Sequence, residues 1–113
     1  MFIYKTSDKI VFNILSKINY GYLEITSFDG KVFKFGNPED NLKANLIIKK
    51  PNFTYNLVSG GSIGFAECYM RGEFETNNLS NLIELTARNI KIIYKFSGLL
   101  DLPIINLIKN KII

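Results

Sequence analysis

The chain has 113 residues, of which 47% are hydrophobic and 21% charged, a balance typical of one folded domain and not of a disordered segment. It contains no histidine and one cysteine, which excludes a disulfide framework, a Cys/His zinc site and a histidine base. Residues 1–87 carry nine basic and nine acidic residues, so the net charge of +4 belongs to residues 88–113. Any anionic partner should therefore contact that last segment.

The first half of the chain reads as a helix followed by three strands. Ser7 or Asp8 caps the helix and Gly21 ends it. Residues 22–27 alternate with a period of two, Asp29-Gly30 supplies a hairpin turn, and residues 32–35 return as the second strand. A loop follows, and residues 42–49 form the third strand.

The second half is organised around residues 60–74, GGSIGFAECYMRGEF. Asn52 caps a short helix, Gly60-Gly61 breaks it, and a second short helix covers residues 62–70 before Gly72 closes it. Residues 72–75 supply a fourth strand, and residues 77–97 form one long helix with an apolar stripe. A last amphipathic helix covers residues 101–112.

This order predicts an α+β fold in which an antiparallel sheet of three to four strands packs with helices on one face. We expect residues 1–97 to form a single domain and residues 98–113 to form a basic, apolar helix or linker. The outline is similar to that of sterol-carrier-like lipid-binding domains, a likeness of fold that does not establish function.

The stretch GSIGFAECYMRGEFETNNLSNLIEL resembles the signature of the small N-terminal domain of cyclopropane-fatty-acyl-phospholipid synthases, which are S-adenosylmethionine-dependent methyltransferases. The hairpin at residues 21–36 resembles the one that opens the same domain, and the likeness covers residues 18–90. The matching positions are Gly61, Gly64, Glu67, Tyr69, Met70, Gly72, Glu73, Phe74, Leu79 and Leu82.

The resemblance implies that this chain is not an enzyme by itself. In that family a separate C-terminal domain carries out methyl transfer, with a glycine-rich S-adenosylmethionine loop and a bicarbonate site that uses a histidine. Neither feature occurs here, so we expect a shortened or free-standing N-terminal domain without catalytic residues, metal or cofactor of its own. S-adenosylmethionine would belong to the absent domain.

The leading hypothesis is a lipid-handling or interaction module that presents acyl phospholipid to a methyltransferase domain or subunit, or docks to it. An apolar groove would be lined by Phe53, Leu57, Ile63, Phe65 and Met70. Anionic head groups would meet Arg88, Lys91, Lys95, Lys109 and Lys111. The alternatives are a ligand-free structural dimerisation domain and a small sterol-carrier-like lipid-binding protein.

The last helix leaves three explanations open: it packs on its own domain, pairs with another chain, or lies on an anionic membrane. We expect a cytoplasmic protein, which a lipid-handling role would bring to the inner face of the membrane. Basic residues alternate with aromatic ones at Lys31, Phe33, Lys34 and Phe35 as in an RNA-binding sheet, but the neutral balance of residues 1–87 argues against nucleic acid.

Two residues of the central stretch have competing interpretations. Cys68 is expected to be a buried apolar residue, because no histidine is present to activate it as a nucleophile. Glu67 follows Ile63 by four residues and so lies on or beside an apolar helix face, where a carboxylate needs hydrogen-bond donors or stays protonated. Backbone N–H groups of the glycine-rich loop are its expected donors, and contact with a lipid head group or a catalytic domain is the functional alternative.

Overall fold

The computed structural model describes residues 6–97, so the predictions for residues 98–113, including Lys109 and Lys111, lie outside the described residues. The elements in chain order are α1 (Thr6–Leu15), β1 (Tyr22–Thr26), β2 (Val32–Gly36), β3 (Lys43–Ile48), α2 (Phe53–Met70), β4 (Phe74–Glu75), α3 (Leu79–Arg88) and α4 (Ile90–Ser97). The predicted α+β class is confirmed, and so are the hairpin, the third strand and the short fourth strand.

The four strands form one mixed sheet in the order β2-β1-β3-β4. The outer pairs, β1 with β2 and β3 with β4, are antiparallel as predicted. The central pair is parallel, with Leu23 opposite Ala44 and Ile25 opposite Leu46. The prediction of a wholly antiparallel sheet is therefore wrong for this pair.

The loop between β2 and β3 explains the parallel pairing. The Asp40 carboxylate accepts hydrogen bonds from the Gly21 N–H at 3.0 Å and the Leu42 N–H at 2.9 Å, and the Tyr22 N–H donates to the Leu42 carbonyl at 2.9 Å. These bonds hold the start of β3 beside the start of β1. Because β2 has already returned the chain to that end of the sheet, β3 runs parallel to β1 without a helical crossover.

The core lies on one face of the sheet. Strand side chains alternate as the sequence pattern predicts, so that Leu23 and Ile25 of β1 point inward while their neighbours are half-buried. The buried residues that form the central cluster are Ile18, Leu23, Ile25, Leu42, Leu46, Ile48, Phe53, Cys68, Phe74, Leu82 and Leu85. Strands and helices thus share one hydrophobic core.

The long helix predicted over residues 77–97 is divided at Asn89 into α3 and α4. The buried Asn89 side chain accepts hydrogen bonds from the N–H groups of Asn19 (2.9 Å) and Tyr20 (3.1 Å). Its amide donates to the carbonyls of Tyr20 (2.9 Å) and Leu85 (2.8 Å). Such competition with backbone hydrogen bonds is typical of asparagine, and here it fixes the α1–β1 linker to the α3–α4 junction.

Candidate functional site

Helix α2 contains a sharp kink at Gly61. Gly61 has φ +59° and ψ −135°, a backbone conformation open to glycine but strained for other residues. A Cβ atom on Gly64 would lie 2.6 Å from the Asn56 carbonyl oxygen, so the two halves of α2 approach closely at a residue without a side chain. The break predicted at Gly60-Gly61 is confirmed, and Gly64 has a packing role that the sequence did not reveal.

The inward side of α2 packs on Phe74 of β4. The Phe53 and Phe65 rings lie 5.1 and 5.0 Å from the Phe74 ring, one from each half of the helix. Cys68 is fully buried, and burial raises the pKa of its thiol to about 11. Because the thiol stays protonated at neutral pH, it is a poor nucleophile. The interpretation of Cys68 as a buried apolar residue is confirmed.

The outward side of the second half of α2 exposes apolar side chains beside the half-exposed Glu67. Ile63 is 72% exposed and Met70 is 75% exposed, and Ala66 lies between them on the same face. In a folded protein, isolated exposed apolar residues are common, but an apolar row along one helix face indicates a contact surface. We call Ile63, Ala66 and Met70 the outward face of α2.

The five residues predicted to line one groove are divided between these two sides. Phe53 belongs to the core, while Leu57 and Phe65 are half-buried against it. Ile63 and Met70 lie on the outward face. The structure therefore brings the first three together in the interior and the last two together at the surface.

The carboxylate that is buried at the end of α2 is that of Glu73, not Glu67. Glu73 is 6% exposed and accepts hydrogen bonds from Arg71 Nε and, at 2.7 Å, from Asn56 Nδ2. These bonds, Arg71 first, hold the pKa of the Glu73 carboxyl below its ordinary value. Glu67 is half exposed and pairs with Arg71 Nη1 at 3.1 Å, so its donor is this guanidinium and not the glycine-rich loop.

The positions that carry the family resemblance gather around this region. Gly61 and Gly64 form the kink, Tyr69 packs on Phe74 with ring centroids 5.6 Å apart, and Glu73 anchors the turn from α2 into β4. Sequence reasoning missed that Arg71 and Asn56 hold Glu73. The position of Arg71 two residues before Glu73 was the one local signal in the sequence. Asn56 is distant in sequence, so no local pattern indicated its hydrogen bond to Glu73.

The described basic residues of the predicted anionic contact lie at the end of α3 and along α4. Lys91, Tyr94 and Lys95 share one face of α4 at spacings of three and four, and both lysines are exposed. The hydroxyl oxygens of Tyr94 and Ser62 are 3.5 Å apart. Ser62 lies one helical turn before Ala66, so this contact brings Tyr94 of the basic face of α4 beside the N-terminal end of the outward face of α2.

A surface depression of about 440 Å³ opens where the α1–β1 linker meets the α3–α4 junction. Its lining residues are Asn19, Tyr20, Ala87, Arg88, Ile90, Lys91 and Ile92. The depression thus combines two cations with mostly apolar walls. Arg88 also pairs with Glu84 at 3.3 Å, between side chains that are 56% and 51% exposed. We call this site the α3–α4 depression.

Metal binding and membrane crossing have no support among the described residues. In residues 6–97, no three or more acidic or thiol side chains cluster in a way that could hold a metal ion. Over the same residues, no helix has both the length and the hydropathy needed to cross a bilayer.

Comparison with protein families shows where this chain belongs. Neither the curated proteins nor the solved structures contain a match to this chain. A family model described as "Domain of unknown function (DUF7884)" matches residues 10–95, which include every described strand and all of α2 and α3. The chain therefore belongs to the DUF7884 domain family.

Proposed function

We propose that this domain is a non-catalytic lipid-handling module that attaches reversibly to anionic membrane surfaces. The resemblance to the N-terminal domain of cyclopropane-fatty-acyl-phospholipid synthases supports a role in which the domain brings a methyltransferase domain or subunit to acyl phospholipid. S-adenosylmethionine and the catalytic groups belong to the partner.

One observation carries the proposal: an exposed apolar row lies beside a basic helix face. Ile63 and Met70 project from the outward face of α2, and Lys91 and Lys95 lie on the adjoining face of α4. Burying an aliphatic side chain in an apolar environment contributes ~1.5–3 kcal/mol. A lysine near an anionic surface adds ~1 kcal/mol. Together these terms support a peripheral, reversible attachment.

The test of this contact is co-sedimentation of the full chain with vesicles of neutral phosphatidylcholine, alone or mixed with phosphatidylglycerol. The wild type is expected to bind the anionic mixture. The double variant Ile63→Gln, Met70→Gln is expected to bind about tenfold less tightly for each side chain lost, because the polar amides gain nothing from the acyl region.

The matched control is Ile83→Gln, which replaces an exposed isoleucine on α3 that is 51% exposed. It should bind like the wild type, and circular dichroism should show the same fold for all variants. Equal binding by the double variant and the wild type would remove the outward face of α2 from the contact.

The alternatives predict other results. A structural dimerisation domain should form a dimer that persists at low concentration, which sedimentation equilibrium measures. It should not bind vesicles. A sterol-carrier-like protein retains lipid through purification, and native mass spectrometry detects it. A monomer that binds anionic vesicles and carries no lipid supports the present proposal against both.

A further inference from the structure

We propose that the α3–α4 depression binds the phosphate group of a single anionic phospholipid, with Lys91 and Arg88 as the cations that contact it. This inference rests on the proposed membrane attachment and adds to it a defined head-group site. The outward face of α2 would enter the acyl region while the depression holds one head group.

The walls of the depression are held in place before any ligand arrives. Asn89 is 1% exposed and uses both its carbonyl oxygen and its amide to bind Asn19, Tyr20 and Leu85. One fully hydrogen-bonded side chain, that of Asn89, therefore joins the two sides of the depression, the α1–β1 linker and the α3–α4 junction. A site fixed in this way loses little conformational entropy when it binds.

The charges of the depression favour an anion. Lys91 is exposed and forms no ion pair with another residue of the described range 6–97. Arg88 pairs with Glu84, but an exposed pair of this kind contributes little free energy, so the guanidinium can exchange its partner. Arginine also binds phosphate oxygens in a bidentate manner. Asp40, which interacts with Arg88 at longer range, is already hydrogen-bonded to Gly21 and Leu42.

The apolar walls favour a lipid over a free phosphate ion. Ile90, Ile92 and the half-exposed Tyr20 line the space beside the two cations. A volume of about 440 Å³ lies in the range of small-molecule sites. Lys91 also lies about one helical turn from Tyr94, whose hydroxyl group contacts Ser62 of α2.

The experiment uses soluble lipid, so that binding in the depression is measured without a membrane. The ¹⁵N-labelled full chain is titrated with dihexanoyl-phosphatidylglycerol below its micelle-forming concentration, and amide shifts are followed by NMR. Parallel titrations use dihexanoyl-phosphatidylcholine and inorganic phosphate. The test variant is Arg88→Gln, Lys91→Gln, and the matched control is Lys31→Gln, Lys34→Gln on the β1–β2 hairpin.

The anionic lipid is expected to shift the amides of residues 19–20 and 87–92 most strongly. Its affinity should fall about fivefold for each cation removed in the test variant, equivalent to ~1 kcal/mol each, and stay unchanged in the control. Inorganic phosphate that binds as tightly as the lipid would overturn the lipid assignment. Equal affinity in test variant and wild type, or shifts confined to α2, would overturn the site itself.

The two proposals fail separately. The Ile63→Gln, Met70→Gln variant should lose vesicle binding and still bind the soluble anionic lipid in the depression. If soluble lipid binds in the depression but the wild-type protein does not bind vesicles, the proposal of membrane attachment is wrong and the proposal of a head-group site is supported. If vesicles bind through α2 and soluble lipid does not bind, the head-group site is wrong.

Discussion

At the scale of single residues, Glu73 is bound on both carboxylate oxygens. Arg71 Nε donates to one oxygen and Asn56 Nδ2 to the other, and the Glu73 backbone carbonyl accepts from the Lys49 N–H at 2.9 Å. These contacts join the end of α2, its first half and the end of β3. Hydrogen bonds to the ionised form lower the pKa of the Glu73 carboxyl below its ordinary value of 4.5.

This lowered pKa predicts how stability depends on pH. A carboxyl with a lowered folded pKa stabilises the fold above its unfolded pKa, and this contribution is lost as pH falls through the folded pKa. The free energy of unfolding of the wild type should therefore decrease on acidification below about pH 4.5. Glu73→Gln should have a lower free energy of unfolding than the wild type at neutral pH. Its free energy of unfolding should also fall less steeply as the pH is lowered, and urea unfolding at a series of pH values measures both effects.

The control for this prediction is Glu75→Gln, which changes an exposed carboxylate two residues away. It should keep the wild-type decrease. Asp40, whose pKa is also lowered by hydrogen bonds from the Leu42 and Gly21 backbones, contributes to the decrease that remains in Glu73→Gln. If the free energy of unfolding of Glu73→Gln falls as steeply on acidification as that of the wild type, Glu73 does not contribute to the pH dependence.

At the scale of elements, the kinked helix α2 allows a matched pair of glycine substitutions. Gly64→Ala places a Cβ atom 2.6 Å from the Asn56 carbonyl oxygen, and this backbone atom cannot move without separating the two halves of α2. We expect a loss of ~1–3 kcal/mol in the free energy of unfolding, the usual cost of overpacking.

Gly60, directly before the kink, has helical backbone angles, and a Cβ atom added there would have no atom within 4 Å. Alanine should stabilise the protein there by up to ~1 kcal/mol, because it restricts the unfolded chain and favours helix. Urea unfolding of both variants measures the difference. Equal effects would show that the close approach at Gly64 does not govern the packing of α2.

At the scale of the whole molecule, local patterns predicted most of the elements and the hairpin, but not the pairing of the two central strands. Period-two alternation and Asp29-Gly30 were sufficient for the hairpin, since both signals lie within one short segment. The parallel pairing of β1 and β3 depends on Asp40 binding Gly21, nineteen residues earlier. The break at Asn89 likewise depends on bonds to Asn19 and Tyr20, which no helical period reveals.

The candidate site was predictable in its composition but not in its geometry. Helical spacing placed Ile63 and Met70 on one face, yet spacing alone cannot say whether that face meets the core or the solvent. Phe53 and Phe65 were grouped with them because all four are apolar, and contacts with Phe74 decide that the two phenylalanines are inward. The depression was not predicted, because its walls come from segments far apart in sequence.

The uneven charge of the chain leads to a last prediction, about salt. Residues 1–87 are neutral overall, and the described cations beyond them, Arg88, Lys91 and Lys95, lie together on the last turn of α3 and on α4. Attraction to an anionic surface acts over a Debye length of ~10 Å at 0.1 M salt and ~3 Å at 1 M. Binding of the full chain to phosphatidylglycerol-containing vesicles should therefore weaken steeply over this range, while any binding to neutral vesicles should not.

A chain ending at Ser97 separates the described cations from Lys109 and Lys111 in the same assay. It should bind anionic vesicles more weakly, since each lysine near the surface contributes ~1 kcal/mol, and should still lose affinity as salt rises. If the shortened chain does not bind at all, residues 98–113 supply the attachment and α4 does not. Binding of the full chain that is unaffected by salt would show that the apolar row of α2 acts without the basic face beside it.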